Sequence, residues 1–176
     1  LVLWPWGYTT SIQAKDHTIF KKYGDKMGEI MDYEPMQSAD LYPAAGDSDD
    51  YLYADYDVLA YTIELGTRFV PHEQQVPIIR KKGAKALRYL FLNARDPWSE
   101  RPDDETYQLS SLLEGVVIRG RNEPSENRTN HFKTLAGFSR TDLHKAMDHL
   151  DMGPVMRARI FNELRPYKRF LEMESK

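Results

Sequence analysis

Apolar residues open the chain in an unbroken run, Leu1-Val2-Leu3-Trp4, which Pro5 and Gly7 close. Runs of this kind suit a strand buried on both faces. The pattern then turns helical. Within residues 14–31, Ile19, Phe20, Tyr23, Met27 and Ile30 share one face, with Asp16 or Thr18 as the cap. Residues 32–37 contain Pro35 and read as a loop. Gly46 and Asp47-Ser48-Asp49-Asp50 precede Tyr51-Leu52-Tyr53, which predicts a turn feeding a short helix. Residues 58–65, Val-Leu-Ala-Tyr-Thr-Ile-Glu-Leu, are rich in β-branched and aromatic types and end at Gly66, so they predict a second strand. Pro71 opens a long helix predicted over 72–92. Its apolar face carries Val76, Ile79, Ala84, Leu87, Leu90 and Phe91, and Pro77 and Gly83 interrupt it.

The pattern changes after Asn93. Residues 96–107 are polar, contain Pro97 and Pro102, and read as a linker. A helix is expected at 109–113, a short strand at 115–119, and a polar stretch at 122–129. Two helices close the chain. In the first, Ser139 caps and Leu143, Ala146, Met147 and Leu150 form an i, i+3, i+4, i+7 stripe. The second starts at Pro154, carries Val155, Ile160 and Leu164, and is expected to stop at Pro166.

Composition narrows the function classes. Of 176 residues, 41% are hydrophobic and 29% charged, enough to build a core. A net charge of −3 gives no reason to expect a polyanion partner. Arg157, Arg159, Arg165, Lys168 and Arg169 make the last helix mildly basic, but Glu163 and Glu172 intervene, so a solvated face is the reading and no nucleic acid is expected. Without cysteine there is neither a disulfide nor a thiolate nucleophile or ligand. No apolar run has the length of a membrane span, and no membrane partner is expected. Leu1 stands inside a strand pattern without a methionine or signal-peptide signature, so it is read as a truncation point.

Glu64 is the most informative position. A carboxylate at the end of an apolar strand is costly unless it is paired or sits in a cleft that uses it, and ligands bind at strand ends in open α/β sheets. Its plain alternative is a strand-edge glutamate paired with Arg or Lys. Tyr42 lies 22 positions earlier, and on its own would be an ordinary loop tyrosine packed on a proline. The segment Leu41-Tyr42-Pro43-Ala44-Ala45-Gly46-Asp47-Ser48-Asp49-Asp50-Tyr51-Leu52-Tyr53, followed by Ala60-Tyr61-Thr62-Ile63-Glu64-Leu65-Gly66, resembles the zinc carboxypeptidase family. The Tyr42-to-Glu64 interval matches the family's without a gap. Residues 1–9 resemble the strand after the family's third zinc ligand, and Arg68-Phe69-Val70-Pro71 with the following helix resembles its closing segment.

The resemblance implies an α/β fold: the C-terminal part of the carboxypeptidase fold over residues 1–93, a mixed, largely parallel sheet flanked by helices. A linker and mostly helical extension follow over 94–176. It implies a zinc-dependent enzyme that hydrolyses the C-terminal peptide bond of peptides or proteins, secreted or extracellular, with Lys/Arg or mixed C-terminal residues favoured. Glu64 would be the general base and Tyr42 a mobile clamp on the substrate. Ala44, Ala45 and Gly46 would line the side-chain pocket, with Asp49 at its floor. Asp47, Ser48, Asp49 and Asp50 also read simply as a helix N-terminus. The interval from Glu64 to Phe69 is shorter than in the animal digestive enzymes.

The family's zinc ligands and substrate-binding arginines are expected upstream of Leu1, so the chain alone would be inactive. His17, His72, His131, His144 and His149 form no ligand pattern. The alternative is a non-catalytic, carboxypeptidase-like peptide-binding or adaptor protein. In either case the two amphipathic stripes of the extension call for a protein partner to bury them.

Overall fold

A computed structural model describes residues 1–102, 104–119 and 125–174. The chain forms two compact units. The first comprises Leu1–Thr10 and Asp16–Arg101, the second Ser11–Lys15 and Pro102–Lys176. The sequence pattern breaks after Asn93; the first unit runs on to Arg101.

The first unit is built on a three-stranded mixed sheet. Strand β1 (Val2–Trp4) is central and fully buried, as its unbroken apolar run requires. It pairs in parallel with β2 (Pro35–Gln37) and antiparallel with β3 (Thr62–Ile63), Val2 lying opposite Pro35 and Ile63. The expected loop at 32–37 is thus partly an edge strand. Proline is tolerated at its first position because an edge strand leaves one row of backbone groups unpaired. The expected strand over 58–65 shrinks to two ladder residues. Asp57 adopts a left-handed conformation and the Val58 amide donates to Leu52 O, so the chain reaches the sheet only at Thr62.

Helix α1 (His17–Met31) buries Ile19, Phe20, Tyr23, Met27 and Met31, close to the expected face. A Cβ at Gly24 would stand 2.5 Å from the Trp4 ring, so glycine lets α1 press onto β1. Asp16 occupies the N-cap position but its side chain does not cap. Its carboxylate accepts from Tyr53 Oη at 2.8 Å and from Arg101 Nε at 2.8 Å. Short helix α2 (Ser38–Leu41) and α3 (Ser48–Tyr56) follow, and Asp47 caps α3 by accepting the Asp49 amide. Helix α4 (Val76–Asn93), preceded by a 3-10 turn at Glu73–Gln75, packs on α1. Its contact face is Ala86, Tyr89 and Leu90, beside Val2, Met27 and Met31. Of the expected apolar face, Ile79 is half-buried, whereas Val76, Ala84, Leu87 and Phe91 are exposed. The expected linker is partly ordered in this unit. A 3-10 turn at Pro97–Glu100 leads to Arg101, which stacks on Trp98 and pairs with Asp16 and Asp57.

The second unit is helical. Helix α5 (Glu105–Arg119) is continuous where a helix and a strand are expected. Leu109, Leu113 and Val116 repeat at i, i+4 and i+7 and are all buried, so the helical period outweighs the β preference of Val116, Val117 and Ile118. Helix α6 (Ser125–Ala136) takes in part of the expected polar stretch, whose residues 122–124 lie outside the described ones. In α7 (Arg140–His149), Ser139 caps by accepting the Asp142 amide at 3.1 Å, and Leu143, Ala146, Met147 and Leu150 are fully buried. Helix α8 (Pro154–Glu174) runs through Pro166 rather than ending there. Ile160 and Leu164 are buried before the proline and Tyr167 stacks on Phe132 after it, packing that offsets the lost amide. Val155 is exposed. Within this unit α5 packs on α7 and α6, and α6 on α8.

Candidate active site

The end of β3 places Glu64. Ladder pairing of Thr62 and Ile63 with β1 fixes the backbone, and the Glu64 amide continues it by donating to Leu1 O at 3.1 Å. The Glu64 side chain is exposed and lines a cavity of about 700 Å³ with Tyr33, Glu34, Leu65, Gly66 and Arg68 among its other walls. The Gly66 amide donates to Tyr33 Oη at 2.6 Å, which braces the turn beyond the strand. Among the described residues, the Glu64 carboxylate makes no hydrogen bond or ion pair. The Arg or Lys partner of the plain alternative is therefore not what holds it there.

Thr62, two residues before Glu64, connects this strand to the acidic end of α3. Its hydroxyl donates to Asp49 Oδ2 at 2.7 Å, and Asp49 is buried. Burial raises the Asp49 carboxyl above its ordinary value; the Thr62 bond opposes the rise and the nearby Asp47 carboxylate adds to it. Next to it, Asp50 accepts the amides of Gly7 at 2.7 Å and Tyr8 at 3.1 Å, which anchors the chain just beyond β1. Burial raises Asp50 as well, against those two bonds. Asp50 is a positioning residue that sequence reasoning grouped with the cap. Its partners lie more than 40 positions away, and no local pattern marks them.

Other expected site residues lie elsewhere. Tyr42 follows α2 in an extended conformation, its side chain is 63% exposed, and it is not among the residues lining the Glu64 cavity. Ala44, Ala45 and Gly46 form an exposed turn that does not line this cavity either. The Ala44 amide donates to Gly7 O at 2.8 Å, and Gly46 takes a φ of 89°, a left-handed conformation that glycine adopts freely. So the structure brings Asp49 to the strand of Glu64, but not Tyr42 or the small-residue turn into its cavity.

Comparison with known proteins bears on this geometry. A family model described as zinc carboxypeptidase matches residues 1–86. Residues 1–86, just under half of the chain, are thus similar to the zinc carboxypeptidase family. The match spans the whole sheet, the acidic helix α3, Glu64, and α4 as far as its buried Ala86. A "Zinc carboxypeptidase" from Saccharothrix mutabilis subsp. capreolus is 27% identical over 106 residues, covering 54% of this chain and 24% of that relative. The chain thus spans about a quarter of the length of the relative it matches.

The mixed sheet flanked by helices, followed by a helical stretch, is consistent with the C-terminal part of a carboxypeptidase and an extension. Zinc is implied by the family, but the residues present do not fit it. Among those described, no three His, Asp or Glu side chains are placed to hold a metal ion. His149 contacts Lys15 O, His144 packs on Phe161, and His72 lies beside Arg68.

Proposed function

We propose that this chain contributes the general-base side of the catalytic centre of a metallocarboxypeptidase that removes the C-terminal residue of peptides or proteins. One observation carries the reading: the Glu64 carboxylate, on a backbone pinned by the sheet, opens into a cavity of about 700 Å³ without a hydrogen-bond partner among the described residues. A carboxylate so placed can take the proton of an attacking water and return it to the leaving amine. The donors of the family's zinc are supplied by another part of the parent protein.

Tyr42 and Asp49 take the secondary roles. The exposed Tyr42 phenol, in a loop after a short helix, suits a group that swings onto bound substrate. Asp49 supports a preference for C-terminal Lys or Arg, because a buried carboxylate gains from a cationic partner. The test is product analysis with the full-length protein on peptides ending in Leu, Phe, Lys or Arg and on their C-terminal amides. Release of single C-terminal residues is expected, fastest from Lys and Arg and absent from the amides. Tyr42→Phe should raise KM more than it lowers kcat. Internal cleavage, or equal turnover of acids and amides, would contradict the assignment.

A second reading is a peptide-binding relative with no working metal site. It is favoured by the lack of a metal-donor cluster among the described residues. Zinc analysis of the full-length protein separates the two, since the enzyme reading requires bound metal and this one does not.

A further inference from the structure

The second unit is discontinuous, and its inserted piece, Ser11–Lys15, is held through main chain and side chains alike. Ser11 O accepts the Gly153 amide at 3.5 Å, the Gln13 amide donates to Leu150 O at 2.8 Å, and the Lys15 amide donates to Glu114 Oε1 at 2.8 Å. Lys15 O accepts from His149 Nε2 at 2.9 Å, and the edge of Tyr107 steadies that ring. The side chains of Ile12 and Ala14 are enclosed, 1% and 0% exposed. Lys15 adds an ion pair, its Nζ standing 3.6 Å from the other oxygen of the buried Glu114.

Main-chain bonds combined with enclosed side chains are how a protein holds a bound peptide segment. The binding groups also need this ligand. Leu150 O lies at the C-terminal end of α7, where helical carbonyls lack intrahelical donors. Glu114 is a buried carboxylate in α5 that accepts the Lys15 amide and faces the Lys15 ammonium.

We propose that the helical unit is an intramolecular peptide clamp. Its ligand is the chain's own Ser11–Lys15 segment, with apolar side chains at Ile12 and Ala14 followed by a lysine, and the fold of α5 and α7 depends on that segment being seated.

Residue-resolved amide exchange on the full chain tests this without a mutation. The Gln13 and Lys15 amides should exchange at the rate of the buried α7 amides and respond to denaturant with them. Exchange of Gln13 and Lys15 at open-loop rates, with α7 still protected, would overturn the proposal. An Ile12→Ala variant gives a second reading. Exchange in α5 and α7 should accelerate by about tenfold or more while α1 keeps its rates. Unchanged rates in α5 and α7, or equal acceleration in α1, would also overturn it.

Discussion

Asp49 and Asp50 are adjacent on α3 but hold different parts of the first unit. Asp50 accepts two amides just beyond β1, and Asp49 accepts the hydroxyl of Thr62 on β3. Together they fix the acidic end of α3 against two neighbouring strands of the sheet. Burial raises the Asp49 carboxyl, so the folded state holds its proton more tightly than the unfolded chain does. That contribution is fully present below the unfolded value and is lost as pH rises through the folded one. Asn at this position cannot ionise. Asp49→Asn should therefore gain stability relative to the wild type as pH is raised from about 3 to about 7. Urea denaturation across that range checks this, and a stability difference that does not vary with pH would contradict it. Spacing and flanking residues single out Glu64 and Tyr42 in the sequence, and of the two only Glu64 lines the cavity. The Asp50 anchor has no such local pattern, because its meaning lies in amides more than 40 positions away.

Helices read best where one stripe decides them. In α7 a serine cap and four apolar residues predict both the start and the buried face. Strand β1 reads as well, since an unbroken apolar run between two covered faces leaves little choice. The strand leading to Glu64 was overread: the β preference of residues 58–61 is real, but no ladder partner meets them. The opposite error occurred at Pro166, where a strong local breaker is overridden by packing on either side. If α8 is continuous there, Pro166 imposes a cost that alanine would relieve. Pro166→Ala should stabilise the full chain by about 1–3 kcal/mol. A thermal or urea melt with no gain would mean that the helix ends at the proline.

The two units raise different questions for the whole molecule. The second buries the stripe of α7 together with Ile160 and Leu164 of α8, and includes the segment Ser11–Lys15. The first leaves Leu65, Phe69, Val70, Leu87, Phe91 and Leu92 exposed, and β3 pairs with β1 along one side only. Exposed apolar area of that kind is what interaction surfaces and ligand grooves present. The chain spans about a quarter of the length of the relative it matches. No described helix is long and apolar enough to cross a membrane.

The measurement that bears most directly on the functional reading is turnover of a C-terminal Arg peptide by full-length protein carrying Glu64→Gln, with bound zinc and substrate affinity determined on the same sample. Gln keeps the shape of the side chain and removes its basicity. Loss of kcat by about 10²-fold or more, with metal content and substrate binding kept, is the expected result. Turnover near the wild-type rate would contradict it, because the proton of the attacking water would then leave by a route that does not involve Glu64.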